Sequence, residues 1–189
     1  MTRASSILGA SAPVKRESQR ELPLALRRDP GAGAYLAAER DDDHPAAGAA
    51  ATSALMDAMT RGDWWAADVW GHRSLWHYEK ADMSIEAVRA ARLIGDVRLE
   101  AGDPDSARRY YAEAVDEARD IGAEHEQGLA SLGLGHALLE RGEATTARRV
   151  ASAAVVLLER SGAEAGQIEE ARMLVGTEVR VGSHMKEIR

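Results

Sequence analysis

Apolar residues recur at helical spacing along most of the chain after residue 45. The stretch that follows Met83 carries its apolar stripe at Ile85, Val88, Ala91, Ile94 and Leu99. Intervals of three and four residues place side chains on one face of a helix, so this pattern predicts an amphipathic helix. We expect the hydroxyl of Ser84 to cap its first turn.

A turn and a second helix follow in the same unit. Gly102 is expected to end the first helix, because a residue without a Cβ adopts the left-handed C′ conformation at least cost. Asp103 is then a natural N-cap, and Pro104 suits the first helical position. The second helix is predicted from an apolar stripe that consists of Ala107, Tyr110, Tyr111, Ala114, Val115 and Ala118.

This unit repeats at a spacing of forty residues. Gly62, Gly102 and Gly142 share the interval, and an alanine stands five residues after each of them, at Ala67, Ala107 and Ala147. A fixed period of this size is typical of solenoid proteins, in which each unit packs only on its neighbours. The sequence therefore predicts three helical pairs with turns at the three glycines.

The repeated residues resemble the tetratricopeptide repeat family. In the second unit the signature positions hold Ile94-Gly95, Gly102-Asp103, Ala107, Tyr111 and Ala114; in the third they hold Leu134-Gly135, Gly142, Ala147 and Ala154. The first unit is degenerate and matches at Gly62-Asp63, Trp64 and Ala67. The resemblance covers about residues 48 to 178, with a forty-residue period like that of repeats in bacterial regulators.

The resemblance implies an all-α solenoid of antiparallel helix pairs, three repeats long, with a closing helix over residues 164 to 180. Composition agrees with this class: the chain has 37 alanines, no phenylalanine, four tyrosines and four tryptophans. Small side chains suit close helix–helix contact, whereas a β-sandwich needs β-branched and aromatic residues.

Charge and composition limit the function classes. The 189-residue chain has a net charge of −7, which disfavours nucleic acid as a direct partner. It has no cysteine, so disulfides, thiol catalysis and thiolate-bound zinc are excluded. No apolar run is long enough for a membrane span or a secretory signal, so we expect a cytoplasmic protein without a membrane partner. We expect no cofactor and no metal. The excess of arginine over lysine hints at a bacterial source.

Three regions are expected along the chain. Residues 1 to 45 hold prolines and Gly-Ala clusters without a helical period and are expected to form a flexible arm; alternatively, the leucines between residues 21 and 26 dock into a groove. Residues 46 to 180 form the repeat domain. Residues 181 to 189 are treated as a tail, because Gly182-Ser183-His184-Met185 matches a common expression-vector segment.

By analogy with the family, the first helix of each unit lines a concave groove. The resemblance then implies the following peptide-binding residues: Arg89, Arg92, Asp96, Leu99, Leu132, His136 and Leu139. Arg89 and Arg92 lie one turn apart and could hold a carboxylate together. The alternative is that both arginines pair with nearby acidic residues on the surface.

All four tryptophans fall between residues 64 and 76. Neighbouring helical positions point about 100° apart, so the four cannot share one stripe, and at least one should lie on the surface. Trp65, Trp70 and Trp76 are therefore candidates for an association surface, with packing in the core as the alternative.

Three functional hypotheses follow. The first is a non-catalytic adaptor that binds another protein or a peptide segment in its groove. The second is a signalling-peptide sensor or the repeat portion of a bacterial transcriptional regulator. The third is a structural protein that associates with itself, as a homodimer, through its tryptophan-rich first unit. An enzyme is not expected, because no nucleophile–base pair, phosphate-binding loop or ligand cluster is visible.

Overall fold

The computed structural model describes residues 21–176, which form eight α-helices and no strand within that range. A short 3₁₀ turn, Leu24–Arg28, precedes them. The helices are α1 (Ala32–Arg40), α2 (His44–Thr60), α3 (Trp64–Lys80), α4 (Ser84–Glu100), α5 (Pro104–Asp120), α6 (Glu124–Glu140), α7 (Ala144–Ser161) and α8 (Ala165–Gly176). Each helix packs against the next along the chain. The predicted all-α architecture of successive helix pairs is confirmed.

Each forty-residue repeat of the sequence contains two helices, so the structure repeats one helix and one turn every twenty residues. A left-handed residue stands in every turn, and these residues are Asp42, Gly62, Asp82, Gly102, Gly122, Gly142 and Gly162. In each turn the next N–H donates to the carbonyl five residues before it, as from Asp103 N to Arg98 O at 2.8 Å. This bond closes a Schellman motif, so a single turn geometry generates the whole stack. The turns predicted at Gly62, Gly102 and Gly142 are confirmed.

The helix starts confirm one predicted cap and correct another. Asp103 caps α5 by accepting from Ser106 N at 3.0 Å, and Pro104 occupies the first position of that helix. Ser84 does not cap α4: it is the first helical residue, and Met83 holds the N-cap without a side-chain hydrogen bond. The reason is the turn, which fixes the N-cap one residue after the left-handed Asp82.

The buried apolar residues of the described helices form four clusters, which are rich in alanines at the helix contacts. Ala67, Ala107 and Ala147, one from each unit, are fully buried. The α4 stripe is buried at Val88, Ala91 and Ile94, but Ile85 is exposed because it lies in the first turn, outside the contact with α3 and α5. On α8, Ala171 and Leu174 are buried against α7.

The boundary expected at residue 45 differs from the structure. Within the expected arm, residues 21–40 form the 3₁₀ turn and α1, and Leu22, Leu26 and Tyr35 are buried against the first repeat. The first pair would otherwise leave the apolar side chains of α2 and α3 uncovered, and this segment covers them. The residues before 21 and the tail at 181 to 189 lie outside the described residues, as do the last four residues of the expected closing helix.

Candidate functional site

A groove of about 750 Å³ runs along the first helices of the repeats. Its central walls come from two helices, with Arg92, Asp96, Leu99 and Glu100 on α4 and Leu129, Leu132, Gly133, His136 and Glu140 on α6. Its ends come from Met59 on α2 and from Gln167 and Glu170 on α8, and Tyr111 of α5 reaches it from behind. α6 contacts both α4 and α8, so these three helices stack side by side.

Five of the seven residues expected in the groove line it. They are Arg92, Asp96, Leu99, Leu132 and His136. Leu139 instead packs against the core between α6, α7 and α8. Arg89 also lies outside the groove lining: its Nε donates to Oε1 of Glu126 on α6 at 2.7 Å.

The expected arginine clamp is therefore not assembled. Arg89 is engaged by Glu126, whose side chain is almost fully buried, and Arg92 Nη1 donates to Asp96 Oδ2 at 2.8 Å. Each guanidinium thus already has a carboxylate partner within the chain. Both arginines instead follow the alternative interpretation, in which each pairs with a nearby acidic residue.

Asp96 is the most constrained acidic group of the groove. Its Oδ1 accepts a 2.6 Å hydrogen bond from the Tyr111 hydroxyl, and its Oδ2 accepts from Arg92. Burial raises the pKa of Asp96, while Arg92 and the Tyr111 bond lower it, and burial has the larger effect. Burial and the Asp96 charge also raise the pKa of Tyr111, so its phenol stays protonated as a donor.

The Tyr111 ring reaches the groove because two glycines leave room for it. A Cβ on Gly95 would lie 2.7 Å from the ring, and one on Gly133 would overlap it. Gly95 belongs to α4 and Gly133 to α6, so one aromatic ring fills the contact between two units. The sequence pattern predicted Tyr111 as a buried repeat-signature residue, and its contact with the groove was not expected. The two glycines were the signal for it.

The α8 residues were also missed. Glu170 Oε1 lies 2.9 Å from His136 Nε2, and Gln167 lines the same end of the groove. Continuing the twenty-residue period past Gly162 makes α8 the first helix of a fourth unit, which places it beside α6. The twenty-residue period could therefore have predicted that α8 contributes to the groove.

The groove is acidic. Its lining contains the carboxylates of Asp96, Glu100, Glu140 and Glu170 against the single guanidinium of Arg92. Asp96 is paired with Arg92, and Glu170 is paired with His136 when that ring is protonated. Glu100 and Glu140 are exposed, and neither pairs with a cation among residues 21–176.

The tryptophans do not form one surface. Trp70 is fully buried, and its indole N–H donates to Asp29 Oδ2 at 3.0 Å, so its assignment to an association surface is wrong. The segment before α2 supplies both Asp29 and the edge-on ring of Tyr35 that cover it. Trp76 is partly buried against His44 and His77, whereas Trp65 is 55% exposed.

A buried polar network joins α1 to α3. The Tyr35 hydroxyl accepts from Arg73 Nη1 at 2.8 Å, donates to Glu39 Oε1 at 2.7 Å and lies 3.1 Å from His77 Nε2. His77 Nδ1 lies 3.1 Å from His44 Nδ1. The Tyr35 hydroxyl and both ring nitrogens of His77 are satisfied when His77 is neutral, donates from Nε2 and accepts at Nδ1.

Neither a metal-binding cluster nor a membrane-spanning helix is found among the described residues. Between residues 21 and 176, no three His, Asp or Glu side chains are grouped so that they could hold a metal ion. No helix in that range is long and apolar enough to cross a membrane. Comparisons of the chain with protein-family models and with curated proteins find no match.

Proposed function

We propose that this chain is a non-catalytic binding protein that holds a peptide segment of another protein in the groove between α2, α4, α6 and α8. The observation that carries the proposal is the groove itself, about 750 Å³ in volume and built from the same helix of successive units. Its volume lies within the range of about 300–1,000 Å³ that is usual for ligand sites.

The chemistry of the lining suits a peptide. Leu99, Leu129 and Leu132 supply apolar contact, and the neighbouring polar side chains of His136 and Gln167 offer hydrogen bonds to a main chain. A peptide presents apolar side chains and backbone amides together, so it can use both. The resemblance to tetratricopeptide repeats supports the same role, and we include membership in that family in the proposal.

The lining does not favour catalysis. The residues that line the described groove include no serine, threonine, cysteine or lysine. Its one phenol, on Tyr111, has a raised pKa and is bonded to Asp96, so it is a poor nucleophile. A binding role requires none of these groups.

Methyl NMR tests the proposal without a known partner. The protein, labelled at its leucine and methionine methyl groups, is titrated with a pool of random-sequence short peptides. We expect shifts at Met59, Leu99, Leu129 and Leu132, which line the groove. Leu75, fully buried outside it, is the control and should not shift. Shifts confined to Met56 and Met173, exposed methionines outside the groove lining, would overturn the proposal, as would no shift at all.

A further inference from the structure

We propose that the segment bound in the groove carries lysine or arginine side chains next to an apolar one. This inference rests on the proposed function and specifies the chemistry of its ligand. It differs from the carboxylate ligand that Arg89 and Arg92 had suggested. Two observations support the inference: which charged residues of the groove are already paired, and where the leucines of the groove lie.

The groove has no spare cation for an acidic ligand. Arg92 is its one arginine, and the Asp96 carboxylate lies 2.8 Å from it. Asp96 is itself held in place by Tyr111, so turning Arg92 toward a ligand would leave a constrained carboxylate without its counter-ion. An incoming carboxylate would therefore have to share Arg92 with Asp96, and the two negative charges would repel each other.

The unpaired charges of the groove are negative and lie at equivalent positions of two units. Glu100 is the last residue of α4, and Glu140 is the last residue of α6. Both side chains line the groove and are exposed to solvent. The carbonyl end of a helix carries partial negative charge, which adds to that of each carboxylate. The two together favour a cationic group beside the C-terminal ends of α4 and α6.

An apolar contact lies next to these carboxylates. Leu99 immediately precedes Glu100 on α4, and Leu129 and Leu132 line the same groove farther along, about two to three helical turns before Glu140 on α6. Carboxylates alone would attract any dissolved cation, whereas the leucines bind only a ligand that also buries an apolar side chain. The combination selects a peptide with basic and apolar residues side by side.

A titration with three defined peptides tests the inference. Each is short, end-blocked and fluorescently labelled: one has a leucine flanked by lysines, the second has glutamates in place of the lysines, and the third has alanine in place of the leucine. Binding is followed by fluorescence anisotropy at an ionic strength of about 0.05 M, where charge pairs are weakly screened.

Two double variants complete the test. Glu100→Gln with Glu140→Gln removes the unpaired groove charges. Asp57→Asn with Asp120→Asn, at exposed positions outside the groove lining, removes the same total charge and is the matched control. All four positions are exposed, so both variants should melt close to the parent chain.

We expect the lysine–leucine peptide to bind about tenfold or more tightly than the glutamate peptide. The groove variant should weaken this binding about fivefold or more, and the control should change it less than about twofold. Replacing the leucine should weaken binding as well, as loss of an apolar contact requires.

The outcomes separate this inference from the proposed function. Equal or tighter binding of the glutamate peptide, with the groove methyl groups still perturbed, would overturn the charge preference and leave peptide binding intact. Equal losses in the two double variants would overturn it too, because they would indicate a general effect of net charge. If none of the three peptides binds, both proposals fail.

Discussion

The Tyr111 hydroxyl donates a 2.6 Å hydrogen bond to Asp96 Oδ1. This bond crosses from the second helix of a repeat to the first, so a residue of the outer layer fixes a carboxylate in the groove. The ring that carries the hydroxyl packs between Gly95 and Gly133, which belong to successive units. The shape of the groove and the packing of the repeats thus depend on the same side chain.

Replacing this tyrosine separates its hydrogen bond from its ring. Tyr111→Phe keeps the ring between the glycines but leaves Asp96 Oδ1 without its donor, and we expect the free energy of unfolding to fall by about 1–2 kcal/mol. Urea denaturation measures the change. Tyr78→Phe is the control, because the Tyr78 hydroxyl has only a 3.5 Å contact with Thr52 Oγ1. An equal loss in both variants would contradict the role of the Asp96 bond.

The close approach at Gly133 gives a steric prediction. The Cβ of Gly133→Ala would overlap the Tyr111 ring, and we expect a loss of about 1–3 kcal/mol despite the better helix propensity of alanine. Gly166→Ala on α8 has no atom within 4 Å of its new Cβ and should be neutral or slightly stabilising. Thermal melts of the two variants give the comparison, and the order of their stabilities should be Gly166→Ala above Gly133→Ala.

In the segment before α2, Leu26 is buried and contributes to stability, whereas nearby Leu24 is exposed and does not. Leu26 is 2% exposed and packs in the cluster that contains Trp70, whereas Leu24 is 78% exposed. We expect Leu26→Ala to cost about 2–4 kcal/mol and Leu24→Ala less than about 0.5 kcal/mol. Chemical denaturation of both variants tests this, and similar values for the two would mean that the segment does not cover the first repeat.

Buried His77 predicts a loss of stability in mild acid. Burial, and next to it the charges of His44 and Arg73, lower the pKa of His77 from 6.5 to about 4, while Asp42 raises it to a smaller extent. Glu39 and Tyr35 of α1 also face its ring, at 3.6 Å and 3.1 Å from Nε2. Between pH 6.5 and 4 the unfolded chain therefore binds more protons at this residue than the folded chain does.

The free energy of unfolding should accordingly fall as the pH drops through that window, by roughly 3 kcal/mol at most from this group. Denaturation at several pH values measures the slope. His77→Gln should flatten it, whatever its effect on stability at neutral pH. Leu24→Ala, an exposed substitution that removes no titratable group, should leave the slope in place. A slope unchanged by His77→Gln would assign the pH dependence to other groups.

The repeat period determined most of the fold in advance, because each turn has a left-handed residue at the same position, and the helices from α2 to α7 therefore have 17 or 18 residues each. The sequence did not decide whether Leu22 and Leu26 are buried, because a segment that packs through isolated leucines has no periodic pattern. The groove face was implied by the resemblance, but its charge was not. Arg89 and Arg92 are not available to a ligand carboxylate because they pair with Glu126 and Asp96. The position of Asp96 depends in turn on a hydrogen bond from Tyr111 on another helix.

Site-specific cross-linking tests the central claim, that the groove is where this protein binds its partner. The chain has no cysteine, so His136→Cys provides a single attachment point for a photoreactive benzophenone inside the groove, and Ser152→Cys provides one on the exposed face of α7. Both labelled proteins are irradiated with the lysine–leucine peptide, and the adducts are measured by mass spectrometry. The groove account predicts several-fold more adduct from position 136 than from position 152, and unlabelled peptide should suppress it. Equal adduct from the two positions, or adduct that excess peptide does not suppress, would contradict it.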